Sequence, residues 1–170
     1  MKKLNLPKIG LRNIKTALAV FICLLCFQIF GRNPIYAAIA AIVSMQNTVE
    51  SSIKTGVDRL IGTVIGGLVG VFFILSRLIF FNIWIYFVLI AIGIVAVIYI
   101  NVLIKKTGSV AISCIVFLII MVNAESMQVQ PFMEALSYAG NRVLDTAIGV
   151  IIGVLVNWIL RNHFTKEKDL

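Results

Sequence analysis

A segment beginning Asp58-Arg59-Leu60-Ile61-Gly62-Thr63 returns 83 residues later as Asn141-Arg142-Val143-Leu144-Asp145-Thr146. The shared skeleton is Arg-x3-Thr-x2-Gly-x3-Gly. Arg59, Thr63, Gly66 and Gly70 fill it in the first copy; Arg142, Thr146, Gly149 and Gly153 fill it in the second. Each unit contains three apolar stretches. A unit that crosses a bilayer an odd number of times must place its successor upside down. The expectation is therefore an all-α membrane protein whose six transmembrane helices form a 3+3 inverted repeat. Repeat 1 covers about 9–80 and repeat 2 about 81–161. A short tail, 162–170, completes a single transmembrane domain over 1–170.

Composition agrees with a bilayer as solvent. Hydrophobic residues make up 61% and charged residues 13%, against roughly 45–50% and 25% in soluble domains. Leu60–Ser76, Leu78–Ile104 and Thr107–Ala124 carry no charge, and about 20 such residues cross a hydrocarbon core. The spans expected are 13–30, 34–47, 59–76, 83–102, 109–123 and 141–160. Helical lead-ins, polar or amphipathic, at 48–58 and 131–141 precede the two motif arginines.

The net charge of +8 has a topological explanation. Twelve of the Lys and Arg residues fall in the N-terminal segment, in alternate loops (Lys54, Arg59, Lys105, Lys106) and near the C-terminus. The intervening loops hold only Arg32, Arg77 and Arg142. This is the positive-inside pattern. It predicts both termini in the cytoplasm of a multi-pass protein of a bacterial plasma membrane, and it removes the need for a nucleic-acid partner. Residues 1–41 are not expected to be a cleaved leader, because cleavage would remove the first span of the first repeat. Tyr36, Trp84, Tyr86 and Tyr138 near outer ends, and Tyr99 and Trp158 near inner ends, fit interfacial belts.

Catalytic and metal chemistry have no footing. Cys23 and Cys26 lie inside an apolar helix and read as small membrane residues. Cys114 has no sequence partner, and the single histidine, His163, is in the tail. No nucleophile–base pair or phosphate loop is present, so no enzyme activity, metal or cofactor is expected.

Each motif places a cation at the mouth of a helix, a hydroxyl one turn deeper, then glycines, all on one face. Gly62, Gly66, Gly70, Gly149 and Gly153 read as helix-packing positions that admit close backbone approach. For Arg59 and Arg142 two readings stand: interfacial anchors for helix starts, or paired cationic sites lining an anion path, with Thr63 and Thr146 beside them. Charges within a membrane cost about 2.5–3.5 kcal/mol each on insertion scales, so keeping two calls for a reason. Asp145 stands three residues after Arg142 and is expected to pair with it; the alternative is a coupling site. The second and fifth spans are short and equivalent in the repeat, a pointer to a transport path. Gln46 and Asn47 at the end of the second offer amide donors to a carboxylate, or simply cap a helix.

Pro34-Ile-Tyr-Ala-Ala-Ile-Ala-Ala-Ile-Val-Ser-Met-Gln46, followed by Arg59-x2-Gly-Thr-x2-Gly-x3-Gly70, resembles the membrane half of the aromatic acid exporter family, which includes fusaric-acid-resistance-type proteins. Ile9–Ala19 and Asn141–Gly149 extend the resemblance to about residues 9–161. It implies a six-helix unit paired as a homodimer, a transporter or channel-like exporter of small organic anions such as aromatic carboxylates, with Arg59 and Arg142 beside the anion. Many relatives continue into a soluble cytoplasmic region, so a separate soluble partner is a further expectation. Asn47 stands where proline is usual. The rival reading is a membrane scaffold or subunit that transports nothing and binds another membrane protein through its glycine faces.

Overall fold

The computed structural model describes residues 10–77, 83–123 and 131–166. The N-terminal lysines Lys2, Lys3 and Lys8, the turn expected after Arg77, the loop at 124–130 and the end of the tail lie outside the described residues. Six α-helices fill the rest: α1 (Leu11–Ile29), α2 (Ile35–Ser44), α3 (Val49–Arg77), α4 (Ile83–Leu103), α5 (Val110–Asn123) and α6 (Pro131–Lys166). A 3-10 turn, Thr107–Ser109, leads into α5.

Local chemistry sets the breaks. Gly31 adopts φ 61° just past α1. In that conformation the Gly31 and Arg32 amides donate to Gln28 and Phe27 carbonyls at 3.2 and 3.0 Å, closing the helix as a left-handed glycine cap does. The Asn33 carboxamide oxygen accepts from the Ile35 amide at 3.0 Å and opens α2. At Met45 the backbone turns extended, and Thr48 Oγ1 accepts from the Ser51 amide at 3.1 Å to start α3, an N-cap hydroxyl in its usual role.

α1, α3, α4 and α6 contain stretches long and apolar enough to cross a membrane. α2, with 10 residues, reaches about 15 Å and α5, with 14, about 21 Å, both short of a ~30 Å core. Four of the six expected spans are thus long helices, and the second and fifth are the short ones, as their sequences imply. The lead-ins are not separate elements: 49–58 continues without a break into α3, and 131–141 into α6.

Glycine contacts fix how the helices run. Gly56 of α3 abuts Val150 of α6, and Gly67 abuts Ala139. Moving eleven residues up α3 moves eleven down α6, so these two are antiparallel. Gly62 and Gly66 of α3 meet Ser109 and Ser113 at the start of α5; Gly149 and Gly153 of α6 meet Ala37 and Ala41 of α2. Both of these pairs run in the same direction. At Gly66 and Gly149 the neighbour is main chain, the Ser113 and Ala37 carbonyls, and a Cβ would collide with it.

The two helical hairpins sit at opposite ends of the α3/α6 pair. α1 and α2 pack on the C-terminal half of α6, where Ala19, Cys23, Phe27, Ala37, Ala41 and Met45 surround Val156. α4 and α5 pack on the C-terminal half of α3, where Phe117, Met121, Tyr86 and Val97 meet Val69 and Phe73. Beside the α4/α5 core, at the same end of α3, Val71 and Ile74 of α3, Ile120 of α5, and Ala135 and Ala139 of α6 form a third core. The outward faces stay apolar: Phe21, Leu25 and Ile29 on α1 and Trp84, Val88 and Val95 on α4 are all at least half exposed. On a chain this hydrophobic such faces meet lipid rather than water.

Candidate functional site: a caged arginine between the long helices

Arg142 lies one-third of the way along α6, where the apolar half of that helix begins. It is 6% exposed. Its guanidinium carbon lies 2.9 Å from the centre of the Tyr36 ring and 5.3 Å from that of Tyr138. The two tyrosine hydroxyls are 3.4 Å apart. Tyr36 comes from the first turn of α2; Tyr138 stands one turn before Arg142 on its own helix. Aromatic faces attract a cation through their quadrupole, and the Tyr138 side chain is also hydrogen-bonded to Arg142, but together they do not serve every N–H of the guanidinium. Arg142 Nε and Nη1 are buried without an acceptor.

Asp145 was expected to be that acceptor. Its carboxylate instead receives Arg32 from the α1–α2 turn at 2.8 Å, and Arg32 also donates to the Asn141 side chain at 3.2 Å. Asp145 remains within electrostatic range of Arg142, yet its hydrogen bond is committed to another helix hairpin. Spacing on one helix shows which residues can meet, but says nothing of a loop folded back onto that helix.

Arg59 is the equivalent residue on α3. It is partly buried, its Nε also lacks an acceptor, and it stands within electrostatic range of Arg142. In the α3/α6 register Arg59 is level with Ala147, and Arg142 with Val64. The two cations are therefore offset by five residues, about 7–8 Å along the axes. Two like charges so placed in apolar surroundings repel, and each leaves donors unmet. A buried donor without an acceptor costs about 1–3 kcal/mol, and more when charged. An anion between them relieves both penalties.

Other sequence candidates are placed differently. Thr63 is buried, and its hydroxyl donates to the Arg59 carbonyl at 2.9 Å, so it is satisfied within its own helix. Thr146 is buried beside Asp145. Gln46 and Asn47 belong to another cluster. The Gln46 carbonyl accepts from Asn157 at 3.0 Å, its side chain donates to Val43, and the Asn47 side chain accepts from Arg12 at 3.4 Å. Asn157 is fifteen residues beyond Arg142 on α6, about 22 Å away along the helix. The structure thus joins Arg59 with Arg142 and separates both from Gln46 and Asn47.

Tyr36, Tyr138 and Arg32 complete the site and were read from sequence as belt or loop residues. For Tyr138 a signal existed: it precedes Arg142 by four, the spacing that stacks side chains on one face. Tyr36 and Arg32 reach Arg142 and Asp145 only through tertiary packing of α2 on α6.

The family model described as "Aromatic acid exporter family member 1" matches residues 7–160. The chain belongs to the aromatic acid exporter family. That family is one of membrane exporters, not of enzymes, and the long apolar helices make the chain a multi-pass membrane protein. Curated relatives are UPF0421 proteins of staphylococci. Those of Staphylococcus saprophyticus and Staphylococcus epidermidis are each 45% identical over 65 residues, 38% of this chain and 20% of the relative. One from Staphylococcus aureus is 40% identical over 58 residues, 34% of this chain and 18% of the relative. These matches span about a fifth of each relative's length. No solved structure matches.

Proposed function

We propose that the protein carries organic anions, aromatic carboxylates foremost, out across a bacterial plasma membrane, with the anion held between Arg142 and Arg59. The observation that carries this reading is the Arg142 guanidinium, nearly fully buried, stacked on Tyr36, with Nε and Nη1 unmet. Arginine binds carboxylates through directed N–H groups and stays charged even in apolar surroundings. The Tyr36 and Tyr138 rings offer an aromatic substrate a stacking surface next to the charge.

The inverted 3+3 duplication belongs to the same reading. It is supported by an exchange of partners: α6 of the second unit packs on α2 of the first, and α3 of the first on α5 of the second. It is also supported by register. The alignment that sets Gly56 against Val150 sets Ile61 level with Asp145 and Gly62 level with Leu144. Those are each other's counterparts at an offset of 83 residues, as a two-fold axis between the helices requires. Alternate loops rich in Lys and Arg then set both termini in the cytoplasm, where they raise the local anion concentration. Pairing into a homodimer and a soluble cytoplasmic partner complete the proposal.

The test is flux in reconstituted vesicles against a panel of aromatic and aliphatic carboxylates. Arg142→Gln is expected to lower carboxylate flux about 10–100-fold, the loss of one or two charged hydrogen bonds, while the protein stays monodisperse. Unchanged flux in Arg142→Gln and Arg59→Gln alike would remove both from the mechanism. A stoichiometric foreign partner in native membranes, with no flux by the isolated chain, would favour the scaffold reading.

A further inference from the structure

The α1–α2 turn holds the arginine site from two points. Tyr36 stacks on the Arg142 guanidinium at 2.9 Å. Arg32 donates to the Asp145 carboxylate at 2.8 Å and to the Asn141 side chain at 3.2 Å, one turn apart on α6. The segment between Arg32 and Tyr36 is stiff. Gly31 turns at φ 61°, Pro34 has a fixed φ, and the Asn33 side chain accepts from the Ile35 amide. A shift of this turn away from α6 loosens both contacts.

The two members of the ion pair differ in what they can do alone. The Arg32 side chain is 39% exposed and the Asp145 side chain 8%. Arg32 can enter water unpaired. Asp145 cannot, because a buried carboxylate stripped of its cation is strongly destabilising. Among the described residues one other cation acts on Asp145, and it is Arg142. That arginine lies three residues back on the same helix, a spacing at which side chains meet. Its Nε and Nη1 are buried with no acceptor, and charge-assisted bonds to a carboxylate are the strong kind. Beside the proposed anion site, α6 thus carries a carboxylate of the same chemistry as the proposed substrate.

We propose that Asp145 is a built-in competitor for the substrate carboxylate, and that Arg32 is the positioning residue that holds it off Arg142. While Arg32 grips Asp145, the Arg142 donors are open to an incoming anion. When the grip is lost, Asp145 turns onto Arg142 and displaces that anion. The proposal rests on the reading of Arg142 as the anion's main contact, and its first test needs no anion.

That test is NMR of the arginine Nε–H groups of the full chain in detergent, with the Arg142 signal assigned by its loss in Arg142→Lys. In Arg32→Gln the signal is expected to move downfield, as a donor gaining a carboxylate does. In Arg32→Gln/Asp145→Asn it returns to its wild-type position. A signal unmoved by Arg32→Gln overturns the switch, whatever benzoate does. The second readout is equilibrium binding of benzoate. Arg32→Gln is expected to weaken it about tenfold, as when the competent state falls to a tenth; Arg32→Lys and the double variant keep wild-type affinity. Weakening that persists in the double variant makes Arg32 a contact of the anion itself and overturns its positioning role. Should Arg32→Gln fail to fold, Asp145→Asn decides. It is expected to bind benzoate at least as tightly as wild type yet to carry it about tenfold more slowly across vesicle membranes, because displacement is lost. Wild-type flux in Asp145→Asn overturns the displacement. Where the signal moves but the wild type binds no benzoate, the reading of Arg142 fails, and the displacement with it.

Discussion

The motif around Arg59 and its copy around Arg142 are alike in how they pack and unlike in their chemistry. In each, a glycine two turns beyond the arginine presses against a main-chain carbonyl of a short helix: Gly66 on Ser113, Gly149 on Ala37. Yet Arg142 sits between two tyrosines with an ion pair beside it. At Arg59 glycine replaces that aspartate, as Gly62, and the preceding Asp58 turns toward Gly108. Backbone geometry tolerates little drift, because a single methyl group meets main chain that cannot yield. Side chains that line a site have freedom to diverge. The glycines preserve the architecture while the residues around one arginine specialise it.

Added bulk at the two glycines has the greatest effect. Gly66→Val and Gly149→Val are expected to fail alike, yielding aggregated protein on detergent size-exclusion, since overpacking against main chain costs about 1–3 kcal/mol or more. If one is tolerated, the packing is not equivalent. Next comes charge. Arg142→Gln is expected to reduce carboxylate flux by at least tenfold and Arg59→Gln by about fivefold, because fewer Arg59 donors are buried and unmet; a reversed order would move the anion's main contact to α3. A smaller effect tests the pair that only the second copy owns. A double-mutant cycle on Arg32→Gln and Asp145→Asn is expected to give a coupling of about 1 kcal/mol in thermal unfolding. Zero coupling would free Asp145 for Arg142 after all. The least effect belongs to Thr63→Val: its hydroxyl already bonds its own helix, so carboxylate flux stays at the wild-type level.

Much of the frame was legible in the sequence. Apolar run lengths marked the helices, Gly31 and Asn33 marked the α1–α2 break, and the 83-residue recurrence aligned α3 with α6. The lead-ins to α3 and α6 were legible as helical, though not that each joins its span without a break. The lead-ins at 49–58 and 131–141 look polar because one face is wet, but nothing in them stops a helix, so they fuse with the apolar halves. The placement of hairpins at opposite ends of the α3/α6 pair was hidden too, since periodicity carries no axial register between elements far apart in sequence. For the site, the arginines were visible as charges in apolar surroundings. Their cage was not. Tyr36 and Arg32 act on α6 only because Gly149 and Gly153 let α2 lie against it. Lys15 and Asn157, whose side chains meet at 3.3 Å, passed as an ordinary basic end and an ordinary apolar helix; a lone Asn inside the run Val143–Leu160 was the available hint of a buried polar network.

Equilibrium binding of radiolabelled benzoate to the purified chain bears most directly on the claim that a buried, unmet guanidinium awaits a carboxylate. Saturable binding that falls at least tenfold in Arg142→Gln and is partly restored in Arg142→Lys is the predicted result. Benzoate bound equally well by wild type and Arg142→Gln would contradict it.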